Sequence, residues 1–238
     1  TGANELKPNI LKGDILINLD SEDEGELYVG CAGGIDINIA HKFATESNSK
    51  EKAFNVHIKG LKGGHSGMDI NIGRGNANKL LFRALKAAEA VSDFRIASIS
   101  GGDLRNAIPR EAVAVIAVSA DKADAFKSNI EDSVSKFRNE YKIAEDSISV
   151  DVTEVEKPAS VISLKDHDAL INAVLETVHG VVKMSESMEG LVETSNNLAI
   201  VKLTDGELTV NCLTRSAADD AKMVFANKMK AIWDNLGA

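Results

Sequence analysis

The sequence predicts an α+β protein with a ferredoxin-like β-α-β-β-α-β core, and three observations carry that expectation. An alternating stretch, Phe54, Val56 and Ile58 against Asn55, His57 and Lys59, leads through a glycine-rich turn into a long amphipathic helix. A second amphipathic helix lies between Ala112–Val118, apolar on both faces, and Ser147–Val155, which alternates strictly. The same order of elements then recurs in weaker form, which predicts a pseudo-duplication.

Taken in order, residues 1–52 read as a separate piece. Gly13–Leu19 has the apolar run of a short buried strand, and an acidic run from Asp20 to Glu26 follows it. Tyr28–Gly34 is a further apolar, glycine-rich piece. These segments cannot close a core among themselves, because a buried parallel strand needs neighbours and covering helices. Either the rest of their domain is absent, or they add an edge to the domain that follows. A start just before an orphan strand points to a truncated polypeptide.

The regular pattern begins at Ala53 and divides into a first repeat over 53–157 and a second over 158–238. In the first, a helix opening near Asn76 buries Ala77, Leu80, Leu81, Ala84, Leu85, Ala88 and Val91 at 3.6-residue spacing. Phe94–Ile99 is a strand, Ala112–Val118 is a central strand, and Ser119 caps a helix with Ala123, Phe126, Ile130, Val134, Phe137 and Tyr141 inward. In the second, a helix near Lys165–Val178 leads to Val181–Met184. A hairpin turning at Asp205-Gly206 then joins Leu198–Leu203 to Leu208–Leu213. Ser216 caps a last helix with Ala221, Val224, Phe225, Ile232 and Trp233 inward.

Composition narrows the function. A formal net charge of −9 without a Lys/Arg cluster excludes a nucleic-acid backbone as partner. No apolar run is long enough to span a membrane, and the first residues lack a signal-peptide layout. Aromatics make up 4%, too few for a stacking platform. Cys31 and Cys212 form no CxxC pair and read as reduced thiols of a cytoplasmic protein.

The richest stretch is Gly60-Leu61-Lys62-Gly63-Gly64-His65-Ser66-Gly67. Four glycines crowd one imidazole at a strand-to-helix turn, where glycine permits positive φ and close backbone approach. His65 is either a proton donor presented to a ligand or the solvent-facing side chain of a turn. Asp20 ends an apolar run, where open α/β sheets place ligand-contacting groups, although its acidic neighbours equally suit a solvated loop. One carboxylate does not make a zinc site, and neither His41 nor His57 stands in a HxxxH pattern. Asn106 lies in the connection from Gly101 to Pro109, where an asparagine also bonds its own turn. Arg215 leaves a strand end just before a helix, placed either to grip a carboxylate bidentately or to form a surface ion pair.

Five stretches together resemble one family: Leu19–Glu26, Gly30–Gly34, Gly60–Gly67, Gly75–Leu81 and Arg105–Ala112. Val192-Glu193-Thr194-Ser195-Asn196 is similar to its counterpart there. The family is that of the bacterial aminoacyl-histidine dipeptidases, a branch of the dinuclear zinc peptidases that include carboxypeptidase G and aminoacylase. The resemblance implies a catalytic domain with an inserted lid. Residues 53–238 resemble the lid, and residues 1–52 resemble the last piece of α/β catalytic domain before it.

The resemblance also implies roles. Asp20 falls on a ligand to one of two bridged zinc or other divalent ions. His65 falls on the lid histidine that polarises the scissile carbonyl, and Asn106 and Arg215 on groups that hold substrate backbone and terminal carboxylate. The family's other ligands and its general base match no residue of this chain. The longer protein is therefore expected to be a dipeptidase acting on Xaa-His and other dipeptides, and this chain to be inactive alone. The other expectation is a non-catalytic α+β binding or dimerisation module. Related lids pair across a two-fold axis, so a homodimer through the lid is expected, unless the duplicated lid imitates that partner internally and His65 acts in cis.

Overall fold

Side-chain alternation builds the sheet. The computed structural model describes residues 7–15, 17, 25 and 31–238. The chain divides into two units, Thr1–Cys31 and Ala32–Ala238. In the first, Ile15 and Ile17 are 82% and 73% exposed and no strand forms at the described positions, so these positions do not make the buried strand expected for Gly13–Leu19. An apolar strand without neighbours has nothing to pair with or pack against.

The second unit opens with β1 (Gly33–Lys42), in which Ile35, Ile37 and Ile39 alternate with Asp36, Asn38 and Ala40. The unit thus begins at Ala32 rather than Ala53, and β1 adds an edge to the sheet that follows. A short β2 (Thr45–Ser47) leads to β3 (Lys52–Lys59), then β4 (Gly64–His65), α1 (Ala77–Ala88), β5 (Arg95–Gly101), β6 (Ala107–Ile108), β7 (Ala112–Val118), α2 (Ala123–Glu140) and β8 (Ser149–Glu154). Strands β5, β7, β3 and β8 lie in that order with every neighbour antiparallel, which is the ferredoxin-like arrangement.

The core positions follow the helical periods. Ala77, Leu80, Leu81, Ala84, Leu85 and Ala88 of α1 are buried, as are Ala123, Phe126, Ile130, Val134 and Phe137 of α2. Phe126 packs its ring 6.2 Å from Phe54 and 5.3 Å from Phe94. Asn76 caps α1, its side chain accepting from Lys79 N at 3.2 Å. Ser119 does not cap α2. It precedes a 3₁₀ turn, Ala120–Lys122, and its hydroxyl meets Lys50 Nζ at 3.1 Å, while Glu51 accepts from Ala120 N in its place.

The second half continues with β9 (Ser160–Ile162), α3 (Leu164–Glu176), β10 (Gly180–Met184), β11 (Val192–Thr204), β12 (Glu207–Ser216) and α4 (Asp219–Asp234). The hairpin turns at Asp205 and Gly206, both with positive φ, as a type I′ turn requires. Ser216 sits too early to cap α4; its hydroxyl bonds Ala218 N at 3.1 Å and Thr194 Oγ1 at 2.9 Å. The buried face of α4 is Phe225, Ala226, Met229 and Trp233, whereas Val224 is 71% exposed.

The main sheet runs β1-β12-β11-β5-β7-β3-β8, with β10 also paired to β11. Its order is nearly palindromic. The second repeat takes β1 as its first strand, then α3, β11, β12 and α4, with the whole first repeat inserted after β1. The repeat therefore does not lie within 158–238, because its first strand comes from Gly33–Lys42. The two repeats meet through corresponding strands, β5 and β11, which pair antiparallel as a pseudo-two-fold requires. Helices α2, α1, α3 and α4 follow one another over one face.

Polar groups also cross this joint. Asn76 Nδ2 donates to Leu198 O at 2.9 Å and lies 3.1 Å from His179 Nδ1. Burial, and then the nearby Lys79 charge, pushes His179 down to about 4 from 6.5. The unfolded chain thus takes up this proton near pH 6.5, while the folded chain resists it to about pH 4. The stability that neutral His179 contributes is complete above pH 6.5 and is lost as pH falls towards 4. Thermal melts of the chain and of His179→Gln across this range should show the wild-type advantage shrinking with acidity. A constant difference would contradict the assignment.

Candidate functional site

The glycine-rich turn after β3 is built by one backbone ladder, one further backbone hydrogen bond and three side chains. Gly64 and His65 of β4 pair with Ile108 and Ala107 of β6. Ser66 N then donates to Asn106 O at 2.8 Å. Gly60 has φ +80°, and a methyl group there would stand 2.0 Å from Ser147 O, so only glycine fits. Gly64 has φ +149°, and its face meets the Asp69 carboxylate, which accepts from His65 N at 2.7 Å. The buried Glu145 braces both ends of the loop, accepting from Lys62 N at 2.8 Å and Gly75 N at 2.9 Å. Arg74 donates to Gly63 O at 2.9 Å.

This scaffold fixes the imidazole's protonation pattern. His65 Nδ1 accepts from Gly67 N at 3.3 Å and Met68 N at 3.2 Å. An Nδ1 that accepts leaves the proton on Nε2, which is then a donor available to a ligand.

Arg215 reaches the same place from the other repeat. It alternates along β12 with buried Thr214 and Ser216, so its side chain leaves the sheet on the face opposite the helices. A methyl group at Gly67 would lie 3.3 Å from Arg215 Nε and 3.3 Å from His65 Cε1. The imidazole and guanidinium therefore flank a single glycine. Arg215 Nε is buried with no hydrogen-bond partner, and Arg215 forms no ion pair among the described residues. A guanidinium held this way, with no carboxylate in ion-pair reach among the described residues, suits an anionic group of a ligand.

Asn106 is exposed, and its backbone forms part of the loop against Ser66. Asp20 lies outside the described residues. His65, Asn106 and Arg215 thus come together, and Asp20 cannot be placed with them. Sequence reasoning missed Glu145, Asp69 and Asn197. Glu145 and Asp69 are single acids that no spacing marks out, and Asn197 ends a polar run, Thr194-Ser195-Asn196-Asn197, inside a strand. An asparagine inside a strand is the one available signal.

The described residues around His65 gather no set of metal ligands. Among the described residues, one His/Cys/Asp/Glu cluster brings its ligand atoms together: Glu89, His167 and Asp168. It lies at the end of α1 opposite its Asn76 cap. There buried His167 sits edge-on to Phe94 and 3.6 Å from Glu89. Burial holds His167 below its ordinary value, as expected of a neutral packed imidazole.

Residues 56–145 match the family of the peptidase dimerisation domain. The cytosol non-specific dipeptidase of Escherichia coli (strain K12) is 41% identical over 238 residues, which is 100% of this chain and 49% of that protein. The crystal structure of aminoacylhistidine dipeptidase from Vibrio alginolyticus matches with a TM-score of 0.87 at 39% identity, over 98% of this chain and 48% of that one. The chain resembles the aminoacyl-histidine dipeptidases along its whole length. It spans about half the length of the two relatives. Both are dipeptidases, and dipeptidases are hydrolases.

Gly67 gives the site a direct test. Gly67→Ala should leave the fold intact but push His65 and Arg215 apart, because each would meet the new methyl at 3.3 Å. Two-dimensional NMR should show the His65 ring and Arg215 Nε resonances moving while the signals of α1 and β7 stay in place. Unmoved side-chain resonances would mean that the two groups do not share this space.

Proposed function

We propose that the chain is the lid region of a metal-dependent dipeptidase that hydrolyses Xaa-His and other dipeptides, and that it is inactive alone. The observation that carries this reading is the placement of the His65 imidazole and the Arg215 guanidinium, which forms no ion pair among the described residues, next to one another at Gly67. A dipeptide has one scissile carbonyl and, one residue away, a terminal carboxylate. A hydrogen-bond donor and a cation that both border Gly67 suit those two groups in chemical type.

Each residue then has a distinct task. Arg215 holds the terminal carboxylate and so selects short substrates with a free C-terminus. Asn106 orients the substrate backbone. His65 donates its Nε2 proton as a hydrogen bond to the carbonyl oxygen, and the bond strengthens as negative charge develops there. Two divalent ions, zinc by resemblance, supply the activated water when bound. Asp20 is the one ligand this chain contributes, and a catalytic zinc normally needs three protein ligands, so the chain alone should not hydrolyse dipeptides. The Escherichia coli relative is a cytosol dipeptidase, which makes the cytoplasm the expected location.

The match to a peptidase dimerisation domain favours a second role, pairing with another copy. The pairing of the β5 edge with β11 of the same chain supports the reading in which the internal repeat takes the place of a partner subunit and His65 acts in cis. A homodimer would then have to form through another surface.

Kinetics on the full-length protein separate the roles. His65→Ala should lower kcat by about 10²–10³, since an oxyanion donor acts mainly in the transition state, with metal content unchanged. Arg215→Ala should raise KM, because the carboxylate is bound in ground and transition states alike. The isolated chain should show no dipeptidase activity. Near-normal kcat in His65→Ala, or hydrolysis by the isolated chain at the full-length rate, would overturn the assignment.

A further inference from the structure

We propose that Asn197 is a positioning residue for this site: its carboxamide holds the Asn106 loop, and through it His65, in register with Arg215. The proposal rests on the dipeptidase reading for its kinetic consequence, though its geometric part stands on this chain alone. Asn197 is 0% exposed in β11. Its Nδ2 donates to Ala107 O at 2.8 Å and to Arg105 O at 3.3 Å, the carbonyls on either side of Asn106. The next links are the pairing of His65 with Ala107 and the bond from Ser66 N to Asn106 O. One side chain of the second repeat therefore pins the loop of the first repeat that carries the imidazole.

The same strand pair carries the guanidinium. Asn197 stands opposite Leu213 and Ser195 opposite Arg215, with the Asn196–Thr214 rung between, so Asn197 and Arg215 leave alternate rungs of β11 and β12 on one face. The carboxamide and the guanidinium share a rigid base, and the loop is referred to that base by two donated hydrogen bonds. An apolar residue would fill the space and leave two loop carbonyls without donors. Those two carbonyls require a donor at this position, the last of the polar run Thr194-Ser195-Asn196-Asn197 before the apolar Leu198. Asn197 Oδ1 and Ser66 Oγ are buried without hydrogen-bond partners, so neither atom gives Asn197 a second structural duty.

Two variants test this, Asn197→Ala and Asn197→Asp, both of which remove the donor. In the isolated chain, hydrogen exchange should accelerate by about tenfold or more in residues 64–68 and 104–108, while protection in α1 and β7 is kept. Loss of protection across the whole sheet, or none in the loop, overturns the positioning role. In the full-length protein, each variant should lower kcat about 10–100-fold with metal content unchanged. In a His65→Ala background it should cost little more, because a residue acting through His65 cannot be lost twice. An equal further loss in that background contradicts the proposal while leaving the dipeptidase reading intact. Should His65→Ala itself leave kcat unchanged, the dipeptidase reading fails and the exchange experiment alone decides on Asn197.

Discussion

Residues Ile99–Gly101 of β5 pair with Val201–Leu203 of β11, and this short antiparallel ladder is what the rest of the molecule is arranged around. On one side lies a complete β-α-β-β-α-β repeat, on the other a repeat whose first strand is β1. Each repeat alone would present the edge strand of a sheet, with a row of unpaired backbone groups. Joining the two edges satisfies those groups and places the His65 loop of one repeat over the end of β12 in the other. The candidate site depends on that joint.

Backbone pairing alone does not fix the angle between the repeats; buried polar side chains do. Asn76 ties the start of α1 to Leu198 O and His179, and Asn197 ties the 105–107 loop to β11. Lys79 adds a third tie, with Nζ donating to Val174, Leu175 and Thr177 carbonyls at 3.0, 2.6 and 2.8 Å. These include carbonyls that the end of α3 leaves without intrahelical partners. Burial, and then Arg83, brings Lys79 down to about 8, while burial pushes the neighbouring Cys212 thiol up to about 12 and keeps it unreactive. Donors this buried are costly unless bonded, so the arrangement that bonds Asn76 Nδ2, Asn197 Nδ2 and Lys79 Nζ is preferred over alternatives that leave them unpaired.

The local parts of this design are legible in the sequence. Strand β3, helix α1, strand β7 and helix α2 follow from alternation and 3.6-residue stripes, and Asp205-Gly206 announces its hairpin. The first repeat was therefore readable in order. What could not be read locally was pairing across distance. β1 joins β12 with Gly33 opposite Ser216, so its alternating Ile35, Ile37 and Ile39 gain meaning only from a partner near the other end of the chain. The face of α4 was misjudged for a related reason. Val224 fits a helical stripe as well as Met229 does, and tertiary packing chooses between them. At the site, His65 stood out by its glycines and Arg215 by its place at a strand end. Glu145 and Asn197 became visible only when distant loops closed on them.

The central claim is that the repeats pair within one chain and so bring Arg215 to His65 in cis. An equimolar mixture of isotope-labelled and unlabelled chain, refolded together, tests it through the nuclear Overhauser contact between the His65 ring proton on Cε1 and the Arg215 side chain. The account predicts a contact seen wholly within labelled molecules and absent from the spectrum filtered for labelled-to-unlabelled pairs. A contact appearing in that filtered spectrum would mean that the joint forms between two chains, and would contradict it.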